Sequence, residues 1–207
     1  MIEKMSEYIV NNILLNDEEQ HDNEKDIMLF GVTRILEDIP KFASILFMCY
    51  LLEILKELSI VFTVTIFYKT FIGGAHARTN MQCFIVSSVY FILPIMVAKY
   101  INYSLNLFYI IFVINILFSV YVIIKNAPAD TEEIPIINKN KRKKIKRAAF
   151  ISLTLISILT ILFIKDITYM KIIVYTLFLI NIFTMPSMYK MLGCKLGIDS
   201  EEFGKFY

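Results

Sequence analysis

Gly73-Gly74-Ala75-His76-Ala77-Arg78-Thr79-Asn80-Met81-Gln82-Cys83 is a polar interval between two hydrophobic blocks. It holds two adjacent glycines, one of the two histidines and one of the three cysteines of the chain. A thiolate is a strong nucleophile, and an imidazole is the natural base to generate one. Taken singly, each residue has a plainer reading: a cysteine beside an apolar run packs, and a histidine in a loop is a solvated side chain. Helix geometry constrains the pairing. Residues seven apart on an unbroken helix share a face but stand about 10 Å apart along its axis. A base needs contact at about 3 Å. A working pair therefore requires a break between His76 and Cys83. Gly73 and Gly74 favour a turn just before His76. Thr79 or Asn80 suits the N-cap of the helix that carries Cys83. Cys83 then falls in a first turn, where the dipole and the free N–H groups favour a thiolate.

The surrounding composition is that of a polytopic membrane protein. The 207 residues are 57% hydrophobic, with 17 Phe, 12 Tyr, no Trp and a mean hydropathy of +0.62. Residues 1–15 carry Glu3, Lys4 and Glu7 and lack the apolar core and small-residue cleavage site of a signal peptide. Cys49, Cys83 and Cys194 form no disulfide framework, and with two histidines they make no paired zinc spacing. No metal, cofactor or nucleic-acid partner is expected, and no ATP-binding motif is present.

In chain order, Ile2, Met5, Ile9 and Ile13 repeat at helical spacing, so residues 1–15 read as an amphipathic helix. The polar patch 16–26, with His21, reads as a solvated loop. A second amphipathic piece covers residues 27–39, with Pro40 as its limit. Both pieces fit helices on the membrane surface, and equally short cytoplasmic helices packed on the membrane domain. Residues 42–68 are apolar but interrupted by Glu53, Lys56 and Glu57. Each arm falls short of the roughly 20 residues of a comfortable crossing, so a helical hairpin that dips into the bilayer and two short crossings both fit. Four ordinary spans follow, over residues 82–98, 103–124, 148–164 and 172–189. The expected fold is thus all-α and polytopic. It has about four full transmembrane helices, a short hydrophobic hairpin and N-terminal amphipathic helices. Three regions follow: N-terminal helices over 1–40, a membrane domain over 41–190 and a cytoplasmic tail over 191–207.

Residues 125–147 read as the main polar loop. Its second half, Lys139-Asn140-Lys141-Arg142-Lys143-Lys144-Ile145-Lys146-Arg147, carries seven cations in nine residues. The positive-inside rule makes this loop cytoplasmic, and the run anchors it on anionic lipid. Counting spans backwards puts residues 69–81, and hence His76 and Cys83, at the cytoplasmic face.

Several of these features together resemble the AgrB family, the accessory gene regulator peptidases of Gram-positive quorum sensing. They are Gly73-Gly74-Ala75-His76-Ala77, the six residues between His76 and Cys83, and Ala127-Pro128-Ala129-Asp130-Thr131 with Pro135 and the basic run. The resemblance covers residues 27–190. It implies a membrane cysteine endopeptidase that removes the acidic tail of an AgrD-type propeptide. The acyl fragment passes through a thioester on the enzyme and closes into a thiolactone, or a lactone where the peptide supplies serine. It carries the catalytic pair onto His76 and Cys83 and implies a homodimer. The family commonly has Arg shortly before the glycines, where this chain has Lys69; the cation is kept and the bidentate donor lost. Backbone N–H groups at the start of the Cys83 helix are candidate oxyanion donors, with Gln82 as a side-chain candidate. Lys69, Arg78, Lys141, Arg142, Lys143 and Lys144 are candidates to hold an acidic substrate. The competing class is a non-catalytic membrane exporter or scaffold.

Overall fold

The computed structural model describes residues 2–11, 22–131, 136–195 and 197. They form two compact units that part between Glu53 and Ile54. The expected loop over residues 16–26 lies mostly outside the described residues, as does most of the tail beyond 191.

The first unit is a pair of helices. The first, α1 (Ile2–Ile9), packs on α2 (Asp22–Leu51). Ser6 and Val10 are buried, and the Thr33 hydroxyl donates to Ser6 Oγ at 2.9 Å. Pro40 was expected to end a helix but lies inside α2, which runs on for another 11 residues to Leu51. Its cost is one missing N–H donor. The flanking residues are good helix formers, and the Ser44 hydroxyl donates back to the Pro40 carbonyl at 2.8 Å. The interruption expected around 53–57 is confined to Leu52-Glu53-Ile54. There Glu53 adopts φ 56° and its N–H donates to Tyr50 O at 3.1 Å.

The second unit is the helical bundle. It opens with one continuous rod made of α3 (Leu55–Val64), a π-helical turn (Thr65–Lys69) and α4 (Thr70–Ile72), whose junction residues are all right-handed helical. Then come α5 (Asn80–Tyr100), α6 (Leu105–Asn126), α7 (Lys139–Phe163), α8 (Ile167–Phe183) and α9 (Pro186–Leu192). The helices α5, α6 and α7 are each long and apolar enough to cross a membrane. The pair α8 and α9 makes a fourth only as a span bent by 73°. The expected span 172–189 is therefore corrected: its helix begins at Ile167 and stops at Phe183. Pro186 explains the stop, because it cannot donate into a continuing helix and sits instead at the first position of α9, behind an extended Met185 (φ −78°, ψ 145°). The basic run is also corrected, from loop to helix: it forms the first turns of α7, capped by the Asn138 side chain.

The central element is α8, which touches the rod, α5, α6 and α7 and is buried along most of its length. Apolar burial alone would leave its register loose; a buried polar chain fixes it. The Tyr68 hydroxyl donates to Asn181 Oδ1 at 2.9 Å, Asn181 Nδ2 donates to Ser119 Oγ at 2.7 Å, and Asn115 Nδ2 donates to the Val174 carbonyl at 2.9 Å. In the buried interior each bond also specifies which helix faces hold together.

The helices alternate in direction, so the bundle has two distinct ends. Glu57 pairs with Lys99 at 2.6 Å, and Lys171 Nζ donates to the Ile101 carbonyl at 2.9 Å, which gathers the start of the rod, the end of α5 and the start of α8. The opposite end gathers Ile72, Ala129 and Phe183, and there the glycine pair lies.

Candidate active site

The rod stops at Ile72 because the next residue is bent out of the helix. Gly73 takes φ +81°, and a Cβ there would lie 2.1 Å from the Ala129 carbonyl oxygen. That approach is what the glycine permits: Ala129 N–H donates to Ile72 O at 2.9 Å, and Gly74 N–H donates to Ala129 O at 3.0 Å. Gly74, at φ +140°, turns the chain again, and Ala75 N–H donates to the Phe183 carbonyl at 2.8 Å. Ile72, Gly74 and Ala75 are thereby stitched to the segment after α6 and to the end of α8.

From this anchored turn the chain runs without helix through His76 to Thr79. Thr79 is extended (φ −111°, ψ 151°), and its hydroxyl oxygen accepts from Gln82 N–H at 3.2 Å. It is the N-cap of α5. Cys83 N–H donates to the Thr79 carbonyl at 2.9 Å, so Cys83 closes the first turn. The break that the spacing demands is present. His76 and Cys83 line one small cavity of about 80 Å³, together with Thr65, Lys69, Tyr90 and Phe183. His76 is exposed and Cys83 half-buried.

The cavity wall follows from two stripes. On α5, Cys83, Val86, Ser87, Tyr90 and Phe91 recur at helical spacing. On the rod, Thr65 and Lys69 lie within the π turn. The Thr65 and Tyr90 hydroxyls share a hydrogen bond at 2.9 Å, and the Lys69 ammonium stands 4.9 Å from the centre of the Tyr90 ring.

The other sequence candidates are dispersed. Gln82 and Arg78 are exposed beside the pair in sequence. Lys141, Lys143 and Lys144 are exposed on the first turns of α7. Arg142 is turned inward: Nη1 donates to Asp130 Oδ2 at 2.8 Å and Nη2 to the Pro128 carbonyl at 3.0 Å. Lys146 likewise donates to the Ile124 carbonyl at 2.6 Å.

The Asp130 hub was missed in sequence. Its carboxylate also accepts from Ile136 N–H at 2.7 Å, and the Tyr189 hydroxyl donates to the carbonyls of Ala129 and Asp130 at 3.0 and 3.2 Å. The available signal was an acidic residue in an apolar Ala-Pro-Ala setting, which demands a cation when buried. Among the described residues, no three His, Cys, Asp or Glu side chains gather as metal ligands.

A thiol, an imidazole and an ammonium around one cavity at a helix start suit nucleophilic acyl transfer. They sit at one end of a bundle that crosses a membrane several times, so the class defined is a multi-pass helical membrane protein with a thiol–imidazole site. The chain belongs to the accessory gene regulator B family, whose model matches residues 2–185. It is 28% identical over 197 residues to a putative AgrB-like protein of Clostridium acetobutylicum, covering 93% of this chain and 90% of that one. It is 27% identical over 162 residues to putative AgrB-like protein 2 of Clostridium perfringens, covering 75% and 73%. It is 33% identical over 122 residues to accessory gene regulator protein B of Staphylococcus saprophyticus, covering 58% and 60%. No solved structure matches it. Membership assigns the chain to the processing step of accessory gene regulator quorum sensing, in the membrane.

Proposed function

We propose that this chain is a membrane cysteine endopeptidase and cyclase that acts on an AgrD-type propeptide at the cytoplasmic face. The observation that carries the reading is that His76 and Cys83, separated by a glycine turn and a capped helix start, line the same cavity. His76 takes the Cys83 proton as the sulfur attacks the scissile carbonyl carbon. It then gives that proton to the leaving amine, and the acidic tail departs with it. The remaining acyl group is a thioester on Cys83. A thiol within the bound peptide loses its proton to His76 and attacks that thioester. The ring closes, and the proton returns to the Cys83 sulfur. Thioester exchange is close to thermoneutral, so no nucleotide is needed provided water is kept from the acyl-enzyme. The half-buried position of Cys83 between α5 and the rod favours that exclusion.

The exposed lysines of α7 fit a role in holding the acidic tail, and lipid binding by the same face is compatible with it. Exposed ion pairs contribute about 0.2–1 kcal/mol each, so several must act together. Arg142 and Lys146 are already engaged within the bundle and do not belong to that group. The function is tested with purified protein in lipid and a synthetic propeptide. Cys83→Ala should abolish tail release, while Cys49→Ala and Cys194→Ala should cleave within about twofold of the parent. Cleavage by Cys83→Ala would leave another nucleophile as the better account, and no cleavage by the parent would leave the non-catalytic exporter or scaffold.

A further inference from the structure

The cavity contains a charge that the proposed acid–base pair does not use. Lys69 sits in the π-helical turn of the rod, and its side chain is half-buried. Among the described residues its ammonium makes no hydrogen bond and no ion pair; what holds it is the face of the Tyr90 ring at 4.9 Å. Tyr90 is itself fixed by Thr65. The titratable groups lining the cavity are Lys69, His76, Cys83 and Tyr90, with no carboxylate among them. A desolvated ammonium without an anion is costly, and the most acidic neutral group of the wall is the Cys83 thiol.

We propose that Lys69 is the counter-ion that holds Cys83 as a thiolate. This rests on the reading of Cys83 as the nucleophile and adds a third group to the site, distinct in role from a substrate-binding cation. The π turn is the local device that makes it possible. An extra residue in that turn widens the helix and shifts the side chains after it around the rod relative to an unbroken α-helix. The Tyr90 ring then confines the ammonium without neutralising it. Burial pushes the Lys69 ammonium down from its ordinary range, and negative charge at Cys83 opposes that shift. Opposite charges facing one cavity stabilise one another. Cys83 gives its proton to His76, on the exposed side of the cavity, and Lys69 steadies the sulfur that remains; the imidazole then hands that proton to the leaving amine.

The test needs no substrate. Protein carrying Cys49→Ala and Cys194→Ala, in lipid nanodiscs, is alkylated with iodoacetamide from pH 5 to 10, and the rate at Cys83 is followed by mass spectrometry. Lys69→Met should move the midpoint of the profile upward by about one pH unit. Lys69→Arg should restore most of the parent profile, because charge and not shape is what the sulfur requires. Lys69→Gln is the second neutral variant, should Lys69→Met fail to fold by size exclusion. A neutral variant whose profile superimposes on the parent overturns the counter-ion role, as does an arginine variant indistinguishable from the neutral ones. Because no peptide is present, these outcomes are separate from the fate of the cleavage reading, which Cys83→Ala decides.

Discussion

The two ends of the bundle solve the same problem in different ways. At one end the chain turns between helices through Ile101–Ser104 and Ile164–Asp166. Side chains close it: Glu57 on Lys99, Lys171 on the Ile101 carbonyl and the Tyr103 ring, and Asp166 capping α8 through Thr168 N–H at 2.7 Å. At the other end backbone binds backbone, with Ile72, Gly74 and Ala75 on one side and Ala129 and Phe183 on the other. Side-chain closure tolerates adjustment, because long side chains relax. Backbone stitching does not, since a shift in one strand breaks bonds in its neighbour. The end where the proposed reacting pair, His76 and Cys83, lies is the stitched one.

Variants at each end sharpen this contrast. The largest effect is expected for Gly73→Ala, whose Cβ would overlap the Ala129 carbonyl at 2.1 Å while forcing alanine to φ +81°. The conformation alone costs about 1–3 kcal/mol. Cleavage should fall at least a hundredfold, with insertion retained as judged by membrane fractionation. Arg142→Met comes next. It leaves the Asp130 carboxylate, whose side chain is 2% exposed, without its cation. Breaking such a pair costs about 3–5 kcal/mol, read as a lowered melting temperature in detergent. Cleavage should fall with it, because the Ala129–Gly73 bridge loses its clamp. If Gly73→Ala or Arg142→Met cleaves like the parent, the stitching does not position the site.

At the opposite end the same class of change should spare the chemistry. Lys171→Met removes a charged donor from the Ile101 carbonyl and should cost about 1.5–3 kcal/mol of stability. Cleavage at a temperature well below melting should stay within about twofold. The smallest effect is expected for Glu57→Gln, which weakens one ion pair at the bundle's edge; the cost should be below about 1 kcal/mol with no change in cleavage. Loss of activity in either variant with the fold intact would show the two ends to be coupled.

Much of this architecture is legible in the sequence, and the parts that are not have identifiable causes. The helical class follows from apolar runs of span length. The Thr79 cap and the first-turn position of Cys83 follow from local residue chemistry, with no need for distant contacts. Pro40 misleads because proline was read by its local penalty, whereas the helix on both sides outweighs one lost hydrogen bond. Pro186 reads in the opposite way: with an extended residue before it, it starts a helix and divides the last span. The basic run reads as loop because its charge hides the Asn138 cap that makes it helical. Asp130, Arg142 and Tyr189 are joined across 12 and 59 residues of sequence, and no periodicity announces such pairs. Lys69 is visible as a residue but not as a wall of the cavity, since a π turn leaves no signature in the sequence.

Trapping the acyl group that Cys83 is proposed to carry tests the function most directly. The protein in lipid is mixed with a propeptide whose internal nucleophile is replaced by alanine, so that ring closure is blocked, and is then quenched in acid. Intact-mass and fragment spectra should show an adduct on Cys83 equal to the propeptide without its tail. Neutral hydroxylamine should release it, and His76→Ala should lack it. Tail release with no adduct on Cys83, or an adduct on another residue, would contradict the account.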